Sequence, residues 1–393
     1  MPRLAVLSVV LVLAGCGGGD DGDADSTPLP TATTVAEPTA TDLPTPTATS
    51  TPVRAFAEVV LGVATQWTGD RVVRQVMLRN EGGGWDANDL PMLPREYLVQ
   101  GVTFATATVA FAYGGQPELD GILLRSDDAG RSWRNVSAAL PAGFPQIFDV
   151  AFADDQVGYL VGRSTSSQPS ALATTDGGST WRSVEPPPST GFPLYGAYAL
   201  GLRGGIAEMA RYDGGGIVVG RLDGAGASPV VVEPPGGAGL PGMNAFATAG
   251  SAGWIVEGEP GVIRRSASPG EGWIPQATSP STYLRAIDLR DAQHGLAGGN
   301  LLLGLVPMPI VFMTDDGASW RRSTIDDRLD GFTLLDVLRL RDDGGVAIAI
   351  DITSGTLASR VLRSRDGGRT WQREATVFER GWDLHDLARN TER

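Results

Sequence analysis

The chain has 393 residues and is acidic, with 45 Asp and Glu against 31 basic residues and a net charge of −14. Every basic residue is arginine, which excludes a Walker-type phosphate loop, Schiff-base catalysis and a Ser-Lys dyad. The negative charge argues against a nucleic-acid partner or an anionic lipid surface. One cysteine and two histidines cannot build a His/Cys metal cluster, so we expect no metal and no cofactor.

The first 15 residues have the pattern of an export signal. Arg3 precedes an apolar run over residues 4–13, which is too short for a lasting transmembrane helix. The following Ala14-Gly15-Cys16 completes a string that resembles the bacterial lipobox, in which the cysteine is lipidated and the peptide before it is removed. We therefore predict a signal peptide over 1–15 and a lipid anchor at Cys16, on the exported side of a bacterial membrane in the cell envelope. The alternative is an ordinary cleaved signal.

Residues 16–54 have the composition of a spacer. Gly and Asp come first, and a Thr-Pro-Ala series follows with no aromatic residue. Such a segment cannot bury a hydrophobic core, so we predict a disordered linker after the lipidated cysteine.

From residue 55 onward, a turn followed by a landmark residue recurs seven times. Successive landmarks lie about 48 residues apart, which is the period of a four-stranded propeller blade rather than of a helical repeat. The landmarks are Trp85, Trp133, Trp181, Pro229, Trp273, Trp320 and Trp371, of which Pro229 is assigned from spacing alone. We predict an all-β domain over 55–393: a single seven-bladed β-propeller of four-stranded antiparallel blades.

The best landmarks end the pattern Ser/Thr-x-Asp-x-Gly-x-x-Trp. In such a turn the Asp accepts backbone N–H bonds, the Gly supplies a positive φ and the Trp packs on a neighbouring blade. We predict these structural roles for Ser126, Asp128, Gly130, Trp133, Thr174, Asp176, Gly178, Trp181, Ser364, Asp366, Gly368 and Trp371. A fourth copy begins at Met313 and keeps Asp315, Gly317 and Trp320, and a fifth keeps Ser266, Ser268, Gly270 and Trp273.

This motif resembles the Asp-box, or BNR repeat, of bacterial sialidases, sortilin-type receptors, xyloglucanases and the photosystem II stability/assembly factor family. The strings at 157–162 and 294–299 are most similar to strands of the last family. The resemblance covers roughly residues 55–390 and implies the propeller fold, which hosts many unrelated functions. It also implies an assembly-factor role at a membrane protein, which in that family uses an arginine-rich patch. Here the arginines are scattered through the repeats.

The two ends of the domain predict how the ring closes. Most repeats begin with a strand such as 147–152, and the first repeat has no room for one before Trp85. The chain adds 381–387 after the last landmark. We predict that this C-terminal strand completes the first blade, because closure removes the exposed edges of an open ring.

A sialidase-like or other glycoside hydrolase is the alternative function. The resemblance implies that a sialidase would carry an arginine triad, a Tyr nucleophile and an Arg-Ile-Pro segment, and the last is missing. Adjacent carboxylates such as Asp154-Asp155 point different ways and make a poor acid/base pair. The Gly-x-Gly-x-x-Gly string at 237–242 opens no helix, so it does not predict a dinucleotide site. We therefore predict no catalytic residue.

A non-catalytic binding or scaffold role is the main prediction, because the loops between propeller blades converge on one face. Aromatic residues recur at the ends of these loops, and they form a candidate binding face made of Phe144, Phe192, Tyr283 and Phe332. The alternative is that these residues fill the core between blades. We expect an unknown protein or glycan as the partner, and a monomer.

Overall fold

The computed structural model describes residues 57–390, with gaps at 69–70, 92, 94–96, 117–119, 145, 164–168, 188–197, 213–216, 223–229, 233–242, 304–305, 326–328, 330, 352–357 and 375–380. The chain divides into two units, Met1–Arg54 and Ala55–Arg393. The predictions for the signal peptide, Cys16, the linker, Pro229, Phe192 and the string at 237–242 lie outside the described residues.

Short antiparallel strands account for almost all of the described structure. Alternating apolar and polar residues favour such strands, because successive side chains point to opposite faces of a sheet. In the first half of the chain the strands are β1 (Val60–Thr68), β2 (Arg71–Asn80), β3 (Trp85–Asp89), β4 (Val99–Phe104), β5 (Ala110–Gly114), β6 (Ile122–Ser126), β7 (Arg134–Asn135), β8 (Gln146–Phe152), β9 (Gly158–Arg163), β10 (Pro169–Thr174), β11 (Arg182–Val184), β12 (Tyr198–Arg203), β13 (Ile206–Tyr212), β14 (Ile217–Arg221) and β15 (Val230–Val232).

The second half continues the same pattern. Its strands are β16 (Met243–Ala249), β17 (Ala252–Glu257), β18 (Gly261–Ser266), β19 (Ile274–Ser279), β20 (Thr282–Leu289), β21 (Gly295–Leu303), β22 (Val306–Thr314), β23 (Arg321–Arg322), β24 (Thr324–Ile325), β25 (Phe332–Arg339), β26 (Gly345–Asp351), β27 (Ser359–Ser364), β28 (Thr370–Glu374) and β29 (Trp382–Arg389). A 3-10 turn at Ser137–Ala139 is the only helical element of the described residues.

The strands form seven sheets, which are the seven blades of a propeller. Their orders are β29-β1-β2-β3, β4-β5-β6-β7, β8-β9-β10-β11, β12-β13-β14-β15, β16-β17-β18-β19, β20-β21-β22-β23 and β25-β26-β27-β28. The first strands of neighbouring sheets contact one another around a closed ring. The predicted seven-bladed propeller is confirmed, including the fourth blade that spacing alone had indicated.

The last strand closes the ring. β29 pairs antiparallel with β1, from Val60 opposite Arg389 to Gln66 opposite Trp382, and so becomes the first strand of the first blade. Asn390 fastens the end, since its Oδ1 accepts the N–H of Val59 at 2.9 Å and its own N–H donates to the Val59 carbonyl at 3.0 Å. The closure predicted from the two ends of the domain is confirmed.

The hydrophobic core is divided among the seams between blades. The described residues form seven apolar clusters, and each joins two neighbouring blades. At the seam of the second and third blades, for example, Phe111 stacks on Phe152 with ring centroids 4.6 Å apart. Burying each such side chain contributes about 1.5–3 kcal/mol, so stability is spread around the ring.

The seventh blade departs from the predicted four strands. The two-residue β24, which lies in the connection from the sixth blade, pairs in parallel with the outer strand β28. It adds a fifth strand and covers part of an otherwise open sheet edge.

A β-bulge recurs near the start of the first strands. In six of the seven blades, the pairing between the first two strands skips one residue of the first strand. The skipped residues are Gln100, Phe148, Asn244, Arg285, Leu335 and His385. A bulge re-aims side chains and leaves a residue unpaired, so it sets which side chains face the centre of the ring.

Candidate functional site

The predicted Ser/Thr-x-Asp turns join the third and fourth strands of a blade. In the second blade, Asp128 Oδ1 accepts the N–H of Ser132 at 2.8 Å, while Ser126 Oγ donates to Asp128 and accepts the N–H of Gly130, both at 2.8 Å. Trp133 Nε1 donates to the Gly130 carbonyl at 3.2 Å. Burial opposes ionisation of Asp128, but the hydrogen bonds from Ser132 and Ser126 prevail and lower its pKa.

The third and seventh blades repeat the bonds of the Asp and of the hydroxyl, and the seventh also repeats the Trp bond, since Trp371 Nε1 donates to the Gly368 carbonyl at 3.0 Å. Asp176 Oδ1 accepts the Thr180 N–H at 2.9 Å, and Asp366 Oδ1 accepts the Thr370 N–H at 2.9 Å. Thr174 and Ser364 take the place of Ser126, with Gly178 and Gly368 as their N–H donors at 2.9 Å. Hydrogen bonds from Thr180 lower the pKa of Asp176 to about 2. We refer to these turns, which run from the hydroxyl residue to the Trp at 126–133, 174–181 and 364–371, as Asp turns.

The sixth blade requires a correction. Its turn acceptor is Asp316 rather than the predicted Asp315, because Asp316 Oδ1 accepts the N–H groups of Ala318 and Ser319 at 2.8 and 2.6 Å. The first hydroxyl is that of Thr314, not a group at Met313, and it accepts the Gly317 N–H at 2.9 Å. This turn has one residue fewer between the hydroxyl and the Trp. Counting back from Trp320 therefore gave the wrong carboxylate.

The Asp turns also join neighbouring blades. Gly130, at φ +84°, lies so close to the first blade that a Cβ there would be 2.5 Å from Leu61 Cδ2. Arg79 Nε of the first blade donates to the Ala129 carbonyl at 2.9 Å, and Trp254 Nε1 of the fifth blade donates to the Gly317 carbonyl at 3.3 Å. The groups of these turns are therefore engaged in bonds that support the ring.

The candidate binding face divides in the structure. Phe144 is only 5% exposed and packs in the seam of the second and third blades, so it must be removed from the face. Tyr283 and Phe332 are half-buried at the entrances of the sixth and seventh blades. Each carries an arginine over its ring, with Arg285 at 5.0 Å from the Tyr283 centroid and Arg360 at 5.4 Å from that of Phe332.

These two aromatic residues lie at the end of the propeller opposite the Asp turns. The first and third strands of an antiparallel blade run in the same direction, so the start of one and the end of the other lie at opposite ends. Tyr283 Oη donates to Asn244 Oδ1 of the fifth blade at 3.2 Å. Phe148 of the third blade stacks on Tyr198 of the fourth blade, with ring centroids 5.1 Å apart. This end of the ring thus presents aromatic and polar side chains.

Inside the ring, three carboxyl groups follow the bulges of their strands. Asp149 Oδ2 accepts the N–H of Leu200 at 2.7 Å, Asp336 Oδ2 that of Leu387 at 2.8 Å, and Asp386 Oδ2 that of Val102 at 2.8 Å. In each case the donor belongs to the first strand of the next blade. The carboxyl groups thereby satisfy N–H groups on the inner edge, which has no further strand to pair with.

Partial burial inside the ring raises the pKa of these carboxyl groups. Burial raises the pKa of Asp149 to about 6 and, together with the charge of Asp149, that of Asp386 to about 7. Burial and the charge of Asp386 raise the pKa of Asp336 well above its usual range. Perturbed pKa values of this kind often mark functional sites, although structural networks also produce them.

Tyr113 joins the carboxyl groups from the second blade. Its hydroxyl donates to Asp149 Oδ1 at 3.2 Å, and burial raises its pKa well above the usual range. The second blade has Gly101 where three others have an aspartate, and a Cβ there would meet the Tyr113 hydroxyl at 2.5 Å. Gly101 therefore gives the tyrosine room to reach the neighbouring blade.

One group has the order of a hydrolase triad. His385 Nε2 lies 2.9 Å from Thr65 Oγ1, and His385 Nδ1 lies 3.4 Å from Asp383 Oδ2. Thr65 is 0% exposed, so its hydroxyl does not meet a substrate carbonyl. Burial lowers the pKa of His385 and raises that of Asp383, and both effects favour the uncharged forms.

The described residues contain neither a metal-binding cluster nor a membrane-spanning helix. No three His, Cys, Asp or Glu side chains among the described residues are grouped so that they could hold a metal ion. No helix among these residues has the length and apolar character needed to span a bilayer.

Sequence reasoning missed the inner carboxyl groups, although a signal was present. Four first strands contain an aspartate near the same place, at Asp149, Asp288, Asp336 and Asp386. The structure separates Asp288 from the others, because it lies two residues further along its strand and binds the N–H of Arg339 at 2.7 Å. Recurrence of a buried-strand aspartate would have pointed to the inner ring.

Comparison with known proteins gives a fold and no family. No family model and no curated protein matches the chain. Among solved structures, it is similar to YCF48 bound to a D1 peptide, at 19% identity and TM-score 0.50 over 78% of this chain and 96% of the other. It is also similar to YCF48 from Cyanidioschyzon merolae, at 19% identity and TM-score 0.52 over 74% and 88% of the two chains.

An enzyme has the same fold. The periplasmic gluconolactonase PpgL of Pseudomonas aeruginosa is 13% identical, with a TM-score of 0.54 over 85% of this chain and all (100%) of the other. At such identities a likeness shows architecture alone, and propellers with and without catalysis are both represented.

Proposed function

We propose that this chain is an exported, lipid-anchored lipoprotein whose propeller is a non-catalytic binding or scaffold module for a protein partner. The observation that carries the proposal is the use of its carboxylates: those of the Asp turns and the inner ring bind N–H groups of the protein itself. A group committed in this way is poorly placed to act as an acid, base or nucleophile.

The propeller fold supports a protein as the partner. A YCF48 structure holds a D1 peptide, which supports a protein partner for a propeller of this kind and an assembly-factor-like role. We assign the binding face to the end that carries Tyr283 and Phe332, where half-buried aromatic rings offer contact area. We assign the Asp turns to the Asp-box repeat and give them a structural role.

The sequence before the propeller supports a membrane anchor. Cys16 follows a short apolar run and small residues, and a spacer over 16–54 separates it from the propeller. We assign lipidation to Cys16 and place the propeller on the exported side of the cell envelope.

Crosslinking followed by affinity capture from native membranes tests the proposal. The full chain should capture a reproducible membrane-protein partner, and Tyr283→Ala combined with Phe332→Ala should lose it. Asp127→Ala, at the opposite end of the propeller, is the matched control and should retain it. Cys16→Ser should release the intact propeller from the membrane fraction.

A hydrolase or a glycan-binding propeller is the second candidate, because enzymes such as PpgL share the fold. Sialosides, glucans and gluconolactone should all remain intact when incubated with the purified chain. Turnover of any of them, without a captured partner, would replace the scaffold by an enzyme.

A further inference from the structure

The hairpin between the second and third strands of the sixth blade projects beyond its sheet. β21 and β22 pair as far as Leu303 opposite Val306, whereas the first strand, β20, begins opposite Leu301. On the other side, the outer strand β23 pairs only with residues 312–313 of β22. The last two pairs of the hairpin therefore have no third strand on either side among the described residues. They lie at the end of the propeller that carries Tyr283.

This hairpin differs in composition from its counterparts in the other blades. Residues 301–308 read Leu-Leu-Leu-Gly-Leu-Val-Pro-Met and include no polar side chain. The corresponding connections of the other blades all contain charged, amide or hydroxyl side chains; they are 69–70, 115–121, 164–168, 213–216, 258–260 and 352–358. We call the strand residues 301–303 and 306–308 the apolar hairpin; residues 304–305 lie outside the described part of the chain. A projecting element without polar side chains indicates contact with an apolar partner.

The described side chains of the apolar hairpin are accessible and continue into an aromatic surface. Val306 is 45% exposed, and Pro307 and Met308 are half-buried. The N–H of Gly331 donates to the Pro307 carbonyl at 2.9 Å, which holds the half-buried Phe332 next to the hairpin. The accessible apolar surface therefore extends from the sixth blade to the seventh.

Prolines remove backbone donors from the outer edge of the apolar hairpin. In a strand, the N–H and C=O of one residue point to the same side. Because β21 occupies the inner edge and the Pro307 carbonyl binds Gly331, positions 307 and 309 face the outer edge. Both are proline and have no N–H. A peptide that adds as a further strand needs such donors, whereas hydrocarbon penalises every unpaired one. This edge therefore disfavours strand addition and is compatible with lipid.

The aromatic rings beside the hairpin carry cations. Arg285 lies 5.0 Å from the Tyr283 centroid, and Arg360 lies 5.4 Å from that of Phe332. Aromatic rings and arginine side chains favour the boundary between hydrocarbon and water, where a guanidinium can reach lipid phosphates. The net charge of −14 opposes approach of the whole chain to an anionic surface. The charges therefore favour a zwitterionic bilayer.

We propose that the apolar hairpin inserts into the interface of a zwitterionic lipid bilayer and holds the Tyr283 and Phe332 end of the propeller against the membrane. A few apolar side chains give a reversible contact that is weaker than a stable anchor, so Cys16→Ser still releases the propeller from isolated membranes. In the proposed function, residues 16–54 join the propeller to the lipidated cysteine. A Pro-rich segment of this length spans on the order of 100 Å, which lets the hairpin reach the same bilayer. The hairpin contact itself needs neither the anchor nor a protein partner.

A fluorescent label on the hairpin tests the insertion. Residues 16–393, which omit only the predicted signal peptide, have a single thiol when they carry Cys16→Ser and Val306→Cys. An environment-sensitive dye on this thiol should brighten and shift to shorter wavelength with phosphatidylcholine vesicles, and brominated acyl chains should quench it. The same dye at Asp127→Cys, at the opposite end of the propeller, should do neither.

Two results with the labelled hairpin contradict the proposal. A dye at position 306 that stays in water in the presence of vesicles shows that the hairpin does not insert. A response that appears without vesicles and grows with protein concentration shows that the hairpin contacts a second copy of the chain instead.

A matched pair of substitutions measures the contribution of the hairpin. In sedimentation of residues 16–393 carrying Cys16→Ser with phosphatidylcholine vesicles, Val306→Asp should lower the partition coefficient at least about tenfold, because a carboxylate resists transfer into apolar surroundings. Ile274→Asp is the control, since Ile274 is 69% exposed at the start of β19, at the opposite end, and its change should stay below about twofold. Equal losses in the two variants, or none in either, contradict insertion. Tighter binding to anionic vesicles would assign the contact to the arginines instead of the hairpin.

Discussion

Asp127 and Asp128 are adjacent, yet only one of them supports the Asp turn. Asp128 accepts the Ser132 N–H at 2.8 Å inside the turn, whereas Asp127 pairs across the surface with Arg125 at 2.7 Å and Arg134 at 3.4 Å. Exposed ion pairs contribute little, and an acceptor shared by several turn donors contributes more. Neighbouring carboxylates therefore differ in their value to the fold.

Asp128→Ala should lower the free energy of unfolding by about 1–2 kcal/mol, because the Ser132 N–H and two hydroxyls lose their acceptor. Asp127→Ala is the matched control and should cost at most about 0.5 kcal/mol. Urea denaturation of both variants at pH 7 measures the difference. Equal losses would show that the turn geometry does not distinguish the two residues.

A second pair of substitutions isolates contact between blades. Gly130 and Gly270 have nearly the same backbone, at φ +84° and +83°, but a Cβ at Gly130 would meet Leu61, while nothing lies within 4 Å of Gly270. Gly270→Ala should cost about 1–2 kcal/mol for the left-handed backbone alone. Gly130→Ala should cost roughly 1–3 kcal/mol more, from overpacking of the seam. Thermal unfolding of the two variants measures the difference. Equal melting temperatures would show that the contact between a Cβ at position 130 and Leu61 adds no destabilisation.

At the scale of single elements, β29 closes the ring, because it is the first strand of a blade whose other three strands come from the beginning of the domain. It supplies Leu384 and Leu387 to the seam of the seventh and first blades and pairs along most of β1. Without it, β1 exposes a row of unpaired N–H and C=O groups together with apolar side chains.

Truncation after residue 380 should therefore abolish the cooperative unfolding transition and lead to aggregation. Truncation after Asn390 retains the bonds between Asn390 and Val59, and this control should remain monomeric and folded. Size-exclusion chromatography and circular dichroism distinguish the two outcomes. A folded monomer from the shorter form would mean that the ring is stable while open.

The sequence predicted elements better than contacts across the ring. The blade count and the closing strand followed from spacing, because one repeat builds one blade and a missing strand must come from elsewhere. Asp316 was mistaken for Asp315 because a turn can lose one residue and keep its Trp. Asp149 and Asp386 were missed because β-bulges bring them to the inner edge, and the residues around a bulge have no sequence pattern that predicts it. Burial of Phe144 likewise depends on the neighbouring blade.

At the scale of the whole molecule, the inner carboxyl groups link stability to pH. Burial raises the pKa of Asp149 to about 6, above the usual value for an unfolded aspartate. Between about pH 4 and pH 6 the folded chain therefore binds more protons than the unfolded chain. The free energy of unfolding falls as pH rises through this window, which is opposite to the effect of a salt-bridged aspartate. Asp336 and Asp386, whose pKa values burial also raises, act in the same direction.

Asp149→Asn should reduce this pH dependence, because the amide keeps an acceptor for the Leu200 N–H but does not ionise. Between pH 4.5 and pH 7.5, the fall in unfolding free energy should be smaller than in the wild type by on the order of 2 kcal/mol. Asp155→Asn, on an exposed turn, should preserve the wild-type fall. Urea denaturation at the two pH values measures both. If Asp149→Asn and Asp155→Asn behave alike, ionisation of Asp149 does not contribute to the pH dependence of the propeller's stability.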